Sequence, residues 1–213
     1  MSILDDLRKS VIDGNMVLTQ ELMQKALSES MPPEQILKEG LINAMAEVGR
    51  MFECGEFFVP EMLISARAMK SGLELLRPRL TAANVQAAGK VVIGTVQGDL
   101  HDIGKNLVGM MLEGTGFEVI DLGVDVSPDK YVAAVKEHQP DLFACSALLT
   151  TTMPRMKDVI LSLKDAGLRD RVKVMIGGAP VTDKYATDIG ADGYAPDAAS
   201  AASRAKELIL KKG

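Results

Sequence analysis

The fold is set by residues 90–104, which run Lys-Val-Val-Ile-Gly-Thr-Val-Gln-Gly-Asp-Leu-His-Asp-Ile-Gly. The apolar run over 90–96 predicts a buried strand, and residues 105–113 carry apolar side chains at helical spacing. His101 therefore lies in the loop at the carboxyl end of a strand, where open α/β sheets bind their ligands. Asp99, two residues earlier, can accept the proton of one imidazole nitrogen and leave the other nitrogen free as a ligand.

From residue 90 onward the chain alternates between strand-like and helix-like segments. Strands are predicted at 90–96, 117–121, 141–145, 172–176 and 192–194, and helices at 105–115, 128–138, 152–166, 182–189 and 197–211. Ser127-Pro128 supports this division, since it is an N-cap followed by proline in the first helical turn. Continuous apolar strands between helices predict a flavodoxin-like (Rossmann-type) α/β fold, a doubly wound five-stranded parallel sheet with strand order 2-1-3-4-5.

Three unusual loops meet at one edge of this predicted sheet, because strands 1, 3 and 4 are neighbours in that order. The first loop, 98–104, carries Asp99 and His101 between two glycines, which allow a bulky group to approach the backbone. The second loop, 146–152, offers a row of hydroxyls. The third loop, 177–180, begins with a double glycine that leaves room for a flat or bulky ligand. These loops predict a single binding site.

The first part of the chain, residues 1–77, contains only helical patterns. Ser2 and Asp5 form a capping-box pattern, breaks follow at 13–15 and 54–56, and a fourth helix starts at Val59. The third helix carries the apolar stripe Leu37, Leu41, Met45, Val48 and Phe52. We therefore predict an all-α four-helix bundle over 1–77, a linker over 78–89 and an α/β domain over 90–213.

Composition narrows the class of protein further. The chain has 213 residues, of which 47% are hydrophobic, so it can form a sizeable core. Its net charge is −5 and no basic stripe alternates with aromatic residues, which argues against nucleic acid as a partner. The two cysteines have no partner at disulfide or zinc spacing. Without a signal-peptide pattern or a long apolar run, the protein is expected to be soluble, cytoplasmic and independent of membranes.

The three loops resemble the cobalamin-binding signature of corrinoid proteins that hold their cofactor base-off/His-on. The signature appears as Asp99-x-His101-x-x-Gly104, then 41 residues (105–145), then Ser146-x-Leu148, then 28 residues (149–176), then Gly177-Gly178. An isolated Asp-x-His is a weak motif, but three motifs at these separations are specific. Residues 45–52 and 55–61 are similar to the helical cap of methionine synthase, and more so to small corrinoid proteins of methyltransferase systems.

That resemblance implies a corrinoid methyl carrier of one-carbon metabolism. The cofactor would be cobalamin, with its cobalt cycling between Co(I) and methylcobalamin. A substrate-specific methyltransferase would supply the methyl group from methylamines, methanol, methoxylated aromatics or glycine betaine. A second methyltransferase would deliver it to tetrahydrofolate or a thiol, and a reductive activase would restore Co(II). The chain itself would be the corrinoid subunit of such a methyltransferase system and non-catalytic alone.

The resemblance also implies roles for individual residues. His101 would be the lower axial ligand to cobalt in place of dimethylbenzimidazole, Asp99 would tune its basicity, and Thr152 would complete the relay. The other residues implied to contact the cofactor are Gly98, Leu100, Asp102, Ile103, Gly104, Ser146, Leu148, Thr150, Thr151, Gly177, Gly178 and Ala179. In the helical cap, Phe52 and Val59, with Met45 nearby, would cover the upper face and shield the methyl group.

Other functions would use the same loops or residues differently. A cobalamin-dependent sensor or regulator would add a DNA-binding or signalling module, for which 213 residues are expected to leave no room. The small subunit of a cobalamin mutase would not need the cap, and a flavin-binding domain would not need His101. Asp99, His101 and Asp102 could instead ligate a divalent metal, and His101 or residues 150–152 could simply cap helices. His138 is interpreted as a surface cation at a helix C-terminus.

Overall fold

The computed structural model describes residues 2–210, and for Leu210 only the backbone. Within it the chain forms two compact units. The first comprises the residues up to Ala87 together with Glu113–Gly116, and the second comprises Ala88–Leu112 with the residues from Phe117 onward. None of the helices in the described part of the chain has the length and hydropathy that crossing a bilayer would require.

The first unit is helical. Its helices are α1 (Ile3–Ile12), α2 (Met16–Ser28), α3 (Pro33–Gln35), α4 (Asn43–Glu53) and α5 (Val59–Ala82), and a π-helical segment (Ile36–Ile42) joins α3 to α4. Ser2 caps α1, since its hydroxyl accepts from the Asp5 N–H while the Asp5 carboxylate accepts from the Ser2 N–H. The capping box and the all-α character of this region are as predicted.

The π-helical segment changes which residues of the third predicted helix face the core. Leu41, Met45 and Val48 are buried as the stripe predicts, but Ile36 is buried while Leu37 is only half-buried. A π-helical turn contains an extra residue, so the stripe cannot keep one register along the whole helix. Gly40 lies in this turn, and a Cβ there would come within 2.6 Å of Leu7 Cδ2. The glycine therefore allows α1 to pack closely.

Helix α5 is longer than predicted and corrects the predicted linker. It continues through Pro78 to Ala82, so the segment without helix or strand is 83–89 rather than 78–89. Pro78 is exposed, and a proline costs a helix one backbone hydrogen bond without always ending it. The helix ends only where Asn84 adopts a φ of 53°, which a straight helix cannot accommodate.

The second unit is a five-stranded parallel sheet covered by helices. The strands are β1 (Lys90–Thr95), β2 (Glu118–Asp121), β3 (Leu142–Ser146), β4 (Lys173–Gly177) and β5 (Gly193–Ala195). The helices are α6 (Ile103–Gly114), α7 (Pro128–His138), α8 (Pro154–Asp165), α9 (Asp183–Ile189) and α10 (Ala198–Leu210), with a 3₁₀ turn at Arg169–Arg171. The strand order β2-β1-β3-β4-β5 is the predicted one.

Both faces of the sheet are buried, as the continuous apolar strands predict. Successive residues of β1 point to opposite faces. Val92 packs with Phe143 and Val174 in one core cluster, whereas Val91 packs with Leu142 and Ala205 in the other. The loops that follow β1, β3 and β4 consequently come together at the carboxyl edge of the sheet, between its two helical layers.

Candidate cofactor site

The last residues of four neighbouring strands form a row of small side chains at the carboxyl edge. Thr95 of β1 is in register with Ser146 of β3, Ser146 with Gly177 of β4, and Gly177 with Ala195 of β5. A backbone hydrogen bond joins β1 to β3 just past this row, since the Val96 N–H donates to the Ser146 carbonyl at 3.0 Å. No side chain of this row is larger than threonine, and Thr95 is fully buried, so the edge offers the Ser146 hydroxyl and bare backbone to a ligand.

Asp99 is the centre of the site and is fully buried. Its Oδ2 accepts from Thr152 Oγ1 at 2.7 Å and from the Leu148 N–H at 2.8 Å, and the Leu149 N–H lies at 3.4 Å. Its Oδ1 accepts from the His101 N–H at 3.1 Å and lies 2.7 Å from His101 Nδ1. The Asp99 carboxylate therefore joins the loop after β1 to the loop after β3.

These hydrogen bonds determine the charge of Asp99. Burial alone would raise the pKa of the Asp99 carboxyl, but the hydrogen bonds from Thr152, His101 and Leu148 outweigh it and hold that pKa well below its ordinary value. Asp99 is thus a carboxylate at neutral pH and can only accept hydrogen bonds.

The charge of Asp99 in turn determines the tautomer of His101. Because Oδ1 can only accept, the 2.7 Å contact requires the proton to be on Nδ1 of the imidazole. The neutral ring then carries its lone pair on Nε2, the form that binds metals. The His101 side chain is 50% exposed, so this nitrogen is accessible while the opposite edge of the ring is anchored.

Exposed apolar side chains are carried by the two loops that Asp99 joins. Leu100 is 72% exposed and Ile103 is 75% exposed, which is unusual for residues of their size. Leu148 and Leu149, on the loop bound to Asp99, are each 42% exposed. Exposed apolar side chains on the loops that carry and anchor the imidazole mark a binding surface for a large apolar group.

The second residue of the double glycine is required by the packing of the loops themselves. Gly178 has a φ of 130°, and a Cβ at this position would lie 1.9 Å from the Ala147 carbonyl oxygen. At Gly177, a Cβ would be 3.3 Å from the Ala195 carbonyl oxygen. The loop after β4 can therefore approach the loop after β3 only without side chains at Gly178.

Two residues of the site were not found by the sequence analysis. Asp125 Oδ1 accepts from the Gly98 N–H at 2.7 Å, and the Asp125 N–H donates to the Asp99 carbonyl at 3.0 Å. Thr95 is buried and donates to the His101 carbonyl at 2.9 Å. Asp125 could have been found from its position in the turn after β2, the strand next to β1. Thr95 gave no such signal, because it lies within the apolar run of β1.

A second polar network holds the start of α6. The Lys105 side chain is buried and pairs with Asp121 at the end of β2, and its Nζ also donates to Asn106 Oδ1 at 2.7 Å. Asn106 Nδ2 donates to Asp102 Oδ2 at 3.0 Å. Asp102 therefore binds the helix instead of the imidazole, although it follows His101 directly.

The remaining predicted site residues differ in their exposure. Thr150, Thr151, Gly104 and Ala179 are exposed at the same edge of the second unit. In the helical unit, Met45 is buried, Phe52 is half-buried and Val59 is exposed.

The alternative of a simple divalent metal site finds no support. Among residues 2–210, no group of three or more His, Cys, Asp or Glu side chains is arranged to hold a metal ion. Asp99 and His101 bond each other, and Asp102 bonds Asn106. His138, the other histidine of the chain, ends α7 at some distance in sequence from these loops.

Comparison with known proteins gives two family matches and many relatives. Residues 89–203 match the B12 binding domain family, and residues 3–77 match a second B12 binding domain family. A corrinoid protein of Desulfitobacterium hafniense is 42% identical over 214 residues, covering 99% of each chain. Dimethylamine corrinoid protein 3 of Methanosarcina acetivorans is 45% identical over 208 residues, covering 98% of this chain and 97% of its own.

A solved structure also resembles the chain along nearly its whole length. It is a chain of the methanol:cobalamin methyltransferase complex MtaBC from Methanosarcina barkeri, with 31% identity and a TM-score of 0.87. The alignment covers 98% of this chain and 80% of the other. The helical region and the parallel sheet therefore occur together in that relative too.

Proposed function

Because the chain belongs to the family of B12-binding corrinoid proteins, we propose that it is the methyl carrier of a methyltransferase system and binds its corrinoid base-off/His-on. In this proposal His101 is the lower axial ligand. The observation that carries the proposal is the pair of Asp99 and His101, in which a buried carboxylate fixes the Nδ1–H tautomer and leaves Nε2 accessible.

The residues of the site fit a corrinoid. A flat, largely apolar macrocycle suits the exposed side chains of Leu100 and Ile103, which lie on the same loop and helix start as His101. A displaced nucleotide tail suits the part of the row formed by Ser146 and Gly177, beside the buried Thr95, which presents one hydroxyl and backbone without a large side chain. When bound, the corrinoid supplies a cobalt atom that can accept and release a methyl group.

The chain contributes to this chemistry by controlling one ligand and its proton. Thr152 and the Leu148 N–H keep Asp99 ionised, and Asp99 keeps the ring proton of His101 on Nδ1. The negative charge of Asp99 raises the electron-donating power of Nε2.

The partners are proposed from the relatives. One is named for dimethylamine and another belongs to a methanol:cobalamin methyltransferase complex. We infer a partner that takes a methyl group from a small methylated amine or alcohol. A second methyltransferase would pass that group to tetrahydrofolate or a thiol, and a reductive activase would maintain the cofactor. Shielding of the methyl group by Phe52 and Val59 stays a prediction, and Met45 is too buried to contribute exposed surface.

The experiment that tests the proposal is reconstitution with hydroxocobalamin, followed by electron paramagnetic resonance of the Co(II) form. In protein labelled with ¹⁵N-histidine, the wild type is expected to show the doublet hyperfine splitting of a ¹⁵N ligand, which the unlabelled dimethylbenzimidazole cannot give. His101→Ala should lose that splitting. His138→Ala is the matched control, because the chain has only these 2 histidines, and it should keep the splitting. The proposal fails if the wild type retains no corrinoid, or if His101→Ala leaves the nitrogen splitting unchanged.

A further inference from the structure

Thr95 links the two parts of the site that the proposed function needs. Its side chain is fully buried at the end of β1. The Thr95 hydroxyl donates to the carbonyl of His101 at 2.9 Å and lies 3.1 Å from the hydroxyl of Ser146. One of these partners carries the imidazole, and the other stands in the row where a nucleotide tail would lie.

The direction of the two hydrogen bonds follows from counting protons. A carbonyl oxygen can only accept, so the single proton of the Thr95 hydroxyl goes to His101. The contact between Thr95 and Ser146 must then be donated by Ser146. A ligand that accepts the hydrogen bond of the Ser146 hydroxyl deprives Thr95 of this donor. A ligand that donates to Ser146 instead adds one more hydrogen bond to the series from Ser146 through Thr95 to His101. In both cases, a change at Ser146 reaches the backbone of His101 through Thr95.

We propose that Thr95 is a positioning residue that couples the nucleotide tail of the corrinoid to the His101 loop, and that this coupling makes the site select a complete corrinoid over a tailless one. The proposal rests on the proposed function. It assigns Thr95 no contact with cobalt, because its hydroxyl is already shared between His101 and Ser146.

The geometry of the sheet explains why a hydroxyl is needed at this position. Thr95 and Ser146 are in register on adjacent parallel strands, so their side chains point to the same face. Valine has the shape of threonine and would fill the same volume in the strand, but it cannot donate to His101. Replacement by valine therefore removes the link while leaving the packing, and replacement by serine restores it.

The experiment compares the dissociation constants of hydroxocobalamin and of diaquocobinamide, which lacks the nucleotide tail. The expected result is that Thr95→Val lowers the preference for cobalamin by about tenfold, the cost of one buried hydrogen bond, and leaves cobinamide binding within about twofold. Thr95→Ser should keep the wild-type preference. In the Co(II) cobalamin complex of Thr95→Val, the fraction of protein with histidine nitrogen splitting should fall.

Tyr131→Phe is the matched control. Tyr131 packs against Gly94 on the other face of the same strand, and its hydroxyl has no hydrogen-bond partner among the described residues. Loss of this hydroxyl should leave the cobalamin preference unchanged. If Thr95→Val does not fold, Ser146→Ala gives a second test. It must alter the histidine nitrogen splitting in the cobalamin complex but not in the cobinamide complex.

The outcomes separate the inference from the proposed function. If Thr95→Val weakens both corrinoids equally, or neither, Thr95 is only a structural residue and the inference is wrong. If Ser146→Ala leaves the splitting of the cobalamin complex unchanged, the coupling is also wrong. In each case the proposed function stands as long as the wild type binds cobalamin through His101. If the wild type binds neither corrinoid, both are overturned.

Discussion

Thr152 Oγ1 donates a 2.7 Å hydrogen bond to Asp99 Oδ2 across 53 residues of chain. Both side chains are buried, and the bond joins the loop after β1 to the residues just before α8. It is one of the donors that keep the carboxylate ionised in a buried position. The relation between Asp99 and His101 therefore depends on a side chain that bonds the carboxylate and not the imidazole.

Removal of the Thr152 hydroxyl is expected to destabilise the protein in a pH-dependent way. Thr152→Val should lower the free energy of unfolding at pH 7 by about 1.5–3 kcal/mol, the usual value for a hydrogen bond to a charged group. Thr152→Ser keeps the hydroxyl and should remain close to the wild type. Urea unfolding of the three proteins measures the difference, and equal stability of the valine and serine variants would contradict the prediction.

The pH dependence follows from the direction of the Asp99 pKa. That pKa is depressed in the folded state, so its stabilising contribution is complete above the unfolded value of about 3.9 and is lost as the pH falls through the folded value. In Thr152→Val the depression is smaller. The stability difference from wild type should thus be constant above about pH 5 and should shrink below about pH 4. A difference that grows on acidification would exclude this account.

Replacement of Asp99 by asparagine is expected to invert the tautomer of His101. The amide oxygen can still accept from Thr152 and Leu148, which places the NH₂ group at the Oδ1 position, where it gives up the bond from the His101 N–H and donates to Nδ1. The ring proton then moves to Nε2 and removes the lone pair that a metal requires. Nitrogen-15 NMR of the apoprotein should show Nδ1–H in the wild type and Nε2–H in Asp99→Asn.

The matched control for this change is Asp102→Asn. Asp102 has the same charge and lies next to His101, but its carboxylate binds Asn106. This variant should keep the wild-type tautomer and the histidine nitrogen splitting of the Co(II) form. If Asp102→Asn shifts the ring proton as Asp99→Asn does, the effect is one of local charge and the specific hydrogen bond is not its cause.

The sequence predicted the second unit better than the first because its signals were local and redundant. Each strand was apolar and bounded by turn residues, and the order of strands followed from the doubly wound pattern. That order brought the loops of His101, Ser146 and Gly177 to one edge, as the structure confirms. With these loops at one edge, the loop after β3 is close enough to the loop after β1 for Thr152 to bond Asp99.

What the sequence did not predict depended on contacts between distant residues. In the sequence, Thr95 cannot be distinguished from other β-branched strand residues. Only the fold shows that its hydroxyl bonds the His101 carbonyl and contacts the Ser146 hydroxyl. The π-helical segment contains Gly40, where a Cβ would meet Leu7, and the helical spacing of apolar residues gives no sign of either feature. The continuation of α5 past Pro78 shows that proline marks a probable helix end and not a certain one.

Substitutions at two glycines of the site are expected to affect different properties, Gly178→Ala the stability of the protein and Gly104→Ala its binding of corrinoid. Gly178→Ala places a Cβ 1.9 Å from a backbone oxygen at a φ of 130°, so it should cost about 3 kcal/mol or more. At Gly104, in the first turn of α6, a Cβ would meet nothing within 4 Å. Gly104→Ala should therefore leave stability unchanged or raise it by up to about 1 kcal/mol.

Gly104→Ala is expected to weaken corrinoid binding although it does not impair folding. Gly104 lies on the exposed edge beside His101, where an added methyl group meets the ligand and not the protein. Gly104→Ala is expected to bind hydroxocobalamin several-fold more weakly than the wild type, with an unchanged unfolding midpoint. Thermal unfolding and corrinoid titration measure both quantities. Wild-type corrinoid affinity in Gly104→Ala would remove this residue from the site.

The buried pair of Lys105 and Asp121 is expected to respond asymmetrically to loss of either partner. The Lys105 side chain is 2% exposed, whereas that of Asp121 is 45% exposed. Asp121→Asn leaves a buried ammonium without its counter-charge, which is costly. Lys105→Met removes the buried charge and leaves a carboxylate that water can solvate. We therefore expect Asp121→Asn to destabilise the protein by about 1–3 kcal/mol more than Lys105→Met.

An exposed ion pair of the same unit provides the control for this asymmetry. Lys184 and Asp188 lie one turn apart on α9 with side chains 85% and 56% exposed, so Lys184→Met and Asp188→Asn should each change stability by less than about 0.5 kcal/mol. Chemical denaturation at pH 7 compares all four variants. The expected order follows from burial of the ammonium, because only a charge that water cannot reach depends on its partner. If Lys105→Met is the more destabilising variant of the buried pair, then Lys105 stabilises α6 through the packing of its aliphatic chain and its bond to Asn106, and its charge is secondary.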